Sequence, residues 1–389
     1  MSTVVHSAQL VLGPRDGSVV DHGWVRFDGD RVTATGTGDG WRAAAADTVV
    51  DAGAVAGPGA LLVPGFIDIH GHGGGGASYD DGADAIRAAR ALHRAHGTTR
   101  AVVSLVTAPL ETLERRAAMV ADLVTTDADI LGSHLEGPFL DPSHKGAHDE
   151  SLLREPVPHA VERLLEAGRG TVRQVTLAPE LPGGLEAIRR VVAAGAAAAV
   201  GHTGADYAQC RAAFDAGATL LTHALNAMPG LHHREPGPVG AAAADPRVTV
   251  EVIADGVHLH PEVVRILFRA APGRIALVTD AMAAAGAADG RYDLGSLEVD
   301  VVDAVARLTR GGAIAGSTLT QDAALRTAVA AGVPLADAVV ALTATPALAI
   351  GRGSDLGSLA SGFLADAVLL AADLSVRAVW VAGEATRSV

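Results

Sequence analysis

Eight apolar segments recur through the middle of this chain, most of them separated by stretches of amphipathic helical period. They fall at 62–69, 98–106, 130–135, 172–178, 197–201, 218–223, 248–254 and 274–279. Between them lie patterns such as 83–96, 110–124, 161–167 and 207–216, whose apolar residues return every three or four positions. Strands alternating with helices need crossover connections, which set the strands parallel in one helix-covered sheet. Eight such units predict an α/β fold, a (β/α)8 TIM-like barrel with functional side chains at the C-terminal strand ends. After the eighth strand, 290–312 reads as an inserted hairpin, and helices over 319–331 and 335–342 return the chain.

Both chain ends read differently. Segments 4–12, 18–27, 31–35 and 48–51 alternate or run apolar between Gly and Asp punctuation, and 367–370, 376–381 and a Gly383-Glu384 turn continue the pattern. Strand periodicity without helices predicts a small β-sandwich domain formed from both termini, 1–60 plus 345–389, beside a barrel over 61–344. The 389 residues are 49% hydrophobic but only 3% aromatic, so alanine and valine must do much of the packing.

A formal net charge of -14 argues against a nucleic-acid or anionic-membrane partner, and an anionic ligand needs a locally basic pocket. Cys210 is the single cysteine, so no intrachain disulfide can form and a reducing compartment fits. The start lacks a basic segment followed by an apolar one, and alanine-rich 191–200 is too short and glycine-broken to span a bilayer. The cytoplasm is the expected compartment.

Polar residues at strand ends carry the chemistry. Strand one leads to Asp68, His70 and His72, strand three to His134 and Glu136, strand five to His202 and strand six to His223. Strand seven leads to Asp255 and His258, and strand eight to Asp280. His70 and His72, two apart, point to one side and can reach one metal ion. Alone, each of these histidines is as well read as a core residue, and Asp280 as a helix cap. Together they form the imidazole and carboxylate set that holds a divalent ion with an open position for water. Such an ion acidifies its water and polarises a carbonyl. Asp280 is then placed to take the water's proton and return it to a leaving amine. That is a hydrolase site.

The run Pro64-Gly65-Phe66-Ile67-Asp68-Ile69-His70-Gly71-His72, with strand-end histidines and a final Asp, resembles the amidohydrolase superfamily. Further motifs resemble its N-acetylglucosamine-6-phosphate deacetylase family. These are His134-Leu135-Glu136-Gly137-Pro138, Lys145-Gly146-Ala147-His148, Gly201-His202-Thr203, Thr222-His223-Ala224-Leu225-Asn226-Ala227-Met228, Asp255-Gly256-Val257-His258, Thr279-Asp280-Ala281 and Ala315-Gly316-Ser317. Many amidohydrolases bridge two metals with a carbamylated lysine after strand four. Here that strand leads to Ala178-Pro179-Glu180, and the one lysine, Lys145, lies elsewhere, leaving Glu136 as the substitute. The same scarcity makes a Schiff-base reading of the barrel poor.

The resemblance implies that Glu136, His202 and His223 hold the main divalent ion, Zn2+ before Fe, Mn or Co. His70 and His72 would complete a second position, giving one or two ions per subunit. Asp280 would be general base and then acid, and His148 would stabilise the acetyl carbonyl or its oxyanion. Ala147, Asn226, Ala227, Arg234 and His258 would meet the substrate, an amino-sugar phosphate, and Ile314, Ala315 and Gly316 would close the sugar pocket. Arg234 suits phosphate through its planar fork and in the family can reach in from the second subunit of a homodimer. N-acetylgalactosamine 6-phosphate or another N-acyl substrate stays open. A non-catalytic barrel would have lost ligands or Asp280, and none is lost.

Overall fold

The computed structural model describes residues 1–13, 19–43 and 45–386; Ser18, the start of one expected strand, lies outside them. Eight parallel strands form one sheet in chain order: β1 (Phe66–Asp68), β2 (Thr98–Val106), β3 (Ile130–Glu136), β4 (Val172–Leu177), β5 (Ala197–Val200), β6 (Leu220–Leu221), β7 (Thr249–Ile253) and β8 (Ile275–Val278). Their near-continuous apolar runs suit strands covered on both faces, and all nine residues of β2 are buried. Helices including Ala83–Ala95, Leu110–Thr126, Gly184–Ala193 and Pro261–Ala270 lie between the strands in sequence.

The barrel closes where β1 meets β8. Asp280 N–H donates to the His70 carbonyl at 2.8 Å, and His72 N–H to the Ala281 carbonyl at 2.7 Å. Asp68 fills the seam, accepting from Thr279 Oγ1 at 2.5 Å and from the backbone N–H groups of His70 and Thr279. The carboxylate replaces ladder bonds that the two short strands do not make, and it holds two site residues in register.

The expected strand 62–69 divides between two sheets. Leu61–Pro64 pairs with Ser2–Val11 and Ala367–Leu370, whereas Phe66–Asp68 enters the barrel. Gly65 allows the crossing, because a Cβ there would lie 2.2 Å from Thr99 Oγ1. The terminal sheet runs Glu384–Ala385, Val376–Val381, Ala367–Leu370, Leu61–Pro64, Ser2–Val11, Val19–Asp28, Arg31–Thr37, with Thr48–Asp51 parallel to Ser2–Val11. Phe27 and Trp380 lie four strands apart, about 19 Å in a flat sheet. Their rings are 6.2 Å apart, so the sheet curls until its halves face each other around Val25, Leu62 and Leu369. The terminal segments are not free of helix: Asp51 caps a short one, Ala52–Ala56.

A buried ion pair ties this sheet to the barrel. Arg100 on β2 donates to both Asp366 oxygens, at 2.5 and 2.9 Å, and Ala382 N–H donates to the same carboxylate. Asp366→Ala strands the guanidinium, which is expected to cost about 3–5 kcal/mol. A thermal melt within a degree of the parent would refute this.

The insertion after β8 is a three-stranded antiparallel sheet, Gly290–Leu294, Leu297–Val302 and Val305–Leu308, rather than the expected hairpin. It packs on Val106 and Met282 and so stands over the C-terminal mouth of the barrel. Among the described residues no helix is long and apolar enough to cross a membrane.

Candidate metal centre

Glu136 ends β3 and is followed by the Gly137–Pro138 turn, joined by a cis peptide bond. Its two oxygens face different partners. Oε1 lies 3.1 Å from His70 Nε2 and 3.2 Å from both His202 Nε2 and His223 Nε2. Oε2 lies 3.1 Å from His72 Nε2 and 3.5 Å from His148 Nε2. Asp280 Oδ1 stands 3.2 Å from His72 Nε2 and 3.5 Å from His70 Nε2. Ligand atoms of His70, His72, Glu136 and Asp280 lie within 4.8 Å of one another, as do those of Glu136, His148 and His202. Glu136 belongs to both groups.

Backbone geometry aims these side chains. His202, His223 and Asp280 follow β5, β6 and β8 with φ of +47°, +24° and +49°, the left-handed region that side chains with a Cβ rarely adopt. Such strain costs roughly 1–3 kcal/mol per residue and persists where the surroundings over-determine it.

Hydrogen bonds fix which nitrogen faces inward. His202 Nδ1 lies 3.0 Å from the His144 carbonyl and His70 Nδ1 lies 2.9 Å from Glu251 Oε2, acceptors that demand an N–H. Nε2 of each neutral ring is then a bare lone pair. His202 Nε2 nevertheless lies 3.2 Å from Glu136 Oε1. Acceptors facing acceptors at contact distance repel unless a cation lies among them. His70 Nε2 is likewise buried without a hydrogen-bond partner. The donor set therefore fits a divalent ion.

The charges agree. Burial would lower the pKa of His72, yet Asp280 and Glu136 raise it to about 9. His70 is also raised well above the ordinary imidazole value, against burial, by Glu136, Glu251 and Asp280. Glu136 and Asp280 are held below the usual carboxylate range despite burial, chiefly by His70 and the other facing imidazoles. Burial, followed by nearby His148, lowers His202 to about 4, keeping it neutral as a ligand must be.

Above the centre is a pocket of about 250 Å³ lined by His72, Glu136, His148, His202, His223 and Asp280. Ala147, Asn226, Ala227, His258, Ile314 and Gly316 also line it, as do Gly146 of the Lys145–His148 motif and Val106, Leu294 and Ala313, which the sequence did not single out. Thr107 Oγ1 donates to the Glu136 carbonyl and so accepts from His148 Nδ1 at 2.9 Å, turning His148 Nε2 inward. Asp255 holds His258 Nδ1 at 2.7 Å and, against burial, raises its pKa. His70 lies beneath this lining, and Ala315 is buried behind it.

Arg234 does not line the pocket. It is exposed in the loop before the helix Gly237–Ala244, beside exposed Leu231, His232 and His233. Among the described lining residues there is neither Lys nor Arg. Lys145 bonds the His148 carbonyl of its own loop, and His144 bonds Asp141. Glu180, where a bridging lysine would be sought, binds Thr203 Oγ1 and Gly204 N–H instead. His134 is engaged by Ser104 and Thr176 and packs edge-on against His70. Glu251 and Gln174 were not anticipated. The one signal for Glu251 was a charged residue inside a largely apolar strand, which needs a buried partner; Gln174, between Arg173 and Thr176, gave none.

The sequence profile of the amidohydrolase family matches residues 61–386. The chain is 43% identical over 329 residues to an N-acetylgalactosamine-6-phosphate deacetylase of Escherichia coli O157:H7, covering 83% of this chain and 87% of that protein. It is 38% identical over 327 residues to an N-acetylglucosamine-6-phosphate deacetylase of Vibrio furnissii, covering 83% and 82%. A mutant N-acetyl-D-glucosamine-6-phosphate deacetylase from Mycobacterium smegmatis, solved with N-acetyl-D-glucosamine-6-phosphate, superposes with a TM-score of 0.93 at 45% identity, covering all of both chains.

Proposed function

The chain belongs to the amidohydrolase family, and we propose that it hydrolyses the acetamide of N-acetyl-D-glucosamine 6-phosphate to D-glucosamine 6-phosphate and acetate, a step of amino-sugar catabolism in the cytoplasm. The observation that carries this is one buried carboxylate, Glu136, faced by Nε2 of His202 and of His223, with Asp280 on its His72 side, at the floor of a pocket of about 250 Å³. Glu136, His202 and His223 would hold one ion, zinc on the chemistry of the donors, and His70 and His72 with Glu136 would hold a second. When bound, the metal supplies an acidified water and a Lewis acid for the acetyl carbonyl.

The chain's own groups do the rest. Asp280, kept ionised, takes a proton from the attacking water and delivers it to the amine nitrogen as the C–N bond breaks. His148 donates to the acetyl oxygen as an imidazolium, protonated at Nε2 as well as at the Nδ1 that Thr107 engages, and so stabilises the charge that gathers there. Asn226 and Ala227, on the loop after His223, and Ile314 and Gly316, under the inserted sheet, hold the sugar and exclude water. The phosphate meets His258 from its own chain and Arg234 from the partner subunit of a homodimer. Support for that assignment is a pocket without its own Lys or Arg and an arginine exposed on a loop with Leu231.

N-acetylgalactosamine 6-phosphate is the second reading, favoured by the relative at 43% identity. Turnover of both hexosamine phosphates and their unphosphorylated forms, with metal content measured on the same samples, separates the readings. Arg234→Ala is expected to raise KM about 10–100-fold, the worth of a charge-assisted bidentate contact, with kcat nearly unchanged. Equal turnover of the unphosphorylated sugar by the parent would remove the phosphate role of Arg234.

A further inference from the structure

We propose that Glu251, supported by Gln174, is a positioning residue that commits the His70 side of the centre to holding its own ion. The proposal rests on the two-ion reading above. Glu251 lies in β7 and is fully buried, and among the described residues its one ion-pair partner is His70. Oε2 accepts from His70 Nδ1 at 2.9 Å and from His223 N–H at 3.3 Å, and Oε1 accepts from Gln174 Nε2 at 2.7 Å. Its carbonyl accepts from Ala224 N–H at 2.8 Å. One side chain thus joins β4 to residues after β1 and β6.

The consequence lies in the tautomer. A neutral His70 with its proton on Nε2, 3.1 Å from Glu136 Oε1, would present no lone pair to an ion at that position. Glu251 accepts hydrogen bonds and cannot donate one, so it draws the proton to Nδ1. Nε2 is then a lone pair aimed at Glu136 and at Asp280 Oδ1, 3.5 Å off, an arrangement that a cation relieves. Ring rotation is no escape, because His134, engaged at both nitrogens, packs 4.6 Å away edge-on. Buried charge acts in the same direction: Glu136, Asp280 and Glu251 surround His70, and the neighbouring pocket lining carries no Lys or Arg. Carboxylates behind metal-bound histidines work this way, and their loss commonly lowers metal affinity 10–100-fold.

Glu251→Gln and Glu251→Ala test the assignment. The glutamine can still accept from His70 Nδ1, and Gln174, whose Oε1 has no partner, can turn its amide to receive the new N–H. Only the charge is then lost. Metal-free protein is titrated with zinc against a competing chelator, with His70→Ala/His72→Ala as the one-ion reference, and each metal-free variant is melted. The parent should take two ions and the reference one. Glu251→Ala should weaken one ion about 10–100-fold and Glu251→Gln by less, with the other ion unmoved and metal-free Tm of the glutamine variant near the parent's. Unchanged affinity for both ions in the glutamine and alanine variants, or equal weakening of both ions with a lowered metal-free Tm, would overturn the proposal. If alanine does not fold, Glu251→Met, which fills the space without an oxygen to accept from His70 Nδ1, takes its place under the same criteria. A parent that takes a single ion, or a reference that still takes two, sinks the two-ion reading instead.

Discussion

Asp280→Asn is expected to lower kcat roughly 10³-fold while leaving the metal content and KM close to the parent's. Asparagine keeps the volume and an oxygen near His72, so the shape of the floor survives. It cannot take a proton at neutral pH, and the step that moves a proton from water to the amine loses its carrier. The loss corresponds to about 4 kcal/mol of transition-state stabilisation. Asp280 suits the role because His70 and His72 keep it ionised despite burial. It is also held in place, its backbone N–H on His70 and its carbonyl on Ser317 N–H. Single-turnover rates with metal analysis on the same protein make the check. A normal kcat would remove Asp280 as the proton carrier, whereas loss of metal would make it a ligand first and a base second.

Much of this site was legible because barrel chemistry collects at strand ends. Six of the eight expected strands led to His, Asp or Glu, and the fold brings His70, His72, Glu136, His202, His223 and Asp280 around one point. The strands themselves were legible as apolar runs, and their limits shift by a few residues. The expected 218–223 shortens to Leu220–Leu221, because the chain turns left-handed at His223 to aim the ring. Other features were hidden for physical reasons. Both halves of 62–69 are apolar, and an apolar run does not say which sheet it joins. Glu251 hid in an apolar strand, since its meaning depends on His70, 181 residues away. Arg234 carries the right chemistry, but a loop position in sequence does not say which pocket it serves, and in its own chain it does not line the one over the metal centre.

Glu136→Gln is the substitution expected to reach furthest, since it removes the group that both ligand clusters share. Metal affinity at both positions should fall by more than about 100-fold, beyond the range for loss of an outer partner, and turnover should drop to background. Glutamine has nearly the same shape, so failure would trace to charge and to an amide nitrogen that turns a donor toward the centre. Folding stability supplies an independent readout. A ligand that binds only the folded state stabilises it by about 2.7 kcal/mol at one hundred times its dissociation constant. Added zinc should therefore raise the Tm of the metal-free parent and leave that of Glu136→Gln unmoved. The metal-free variant should itself fold, because Glu136 sits over the barrel among imidazoles that take water or protons in its place. An undiminished zinc-dependent rise in Tm would mean that the histidines hold the ions unaided. The carboxylate after β3 would then not be the bridge that a chain with no lysine after β4 requires.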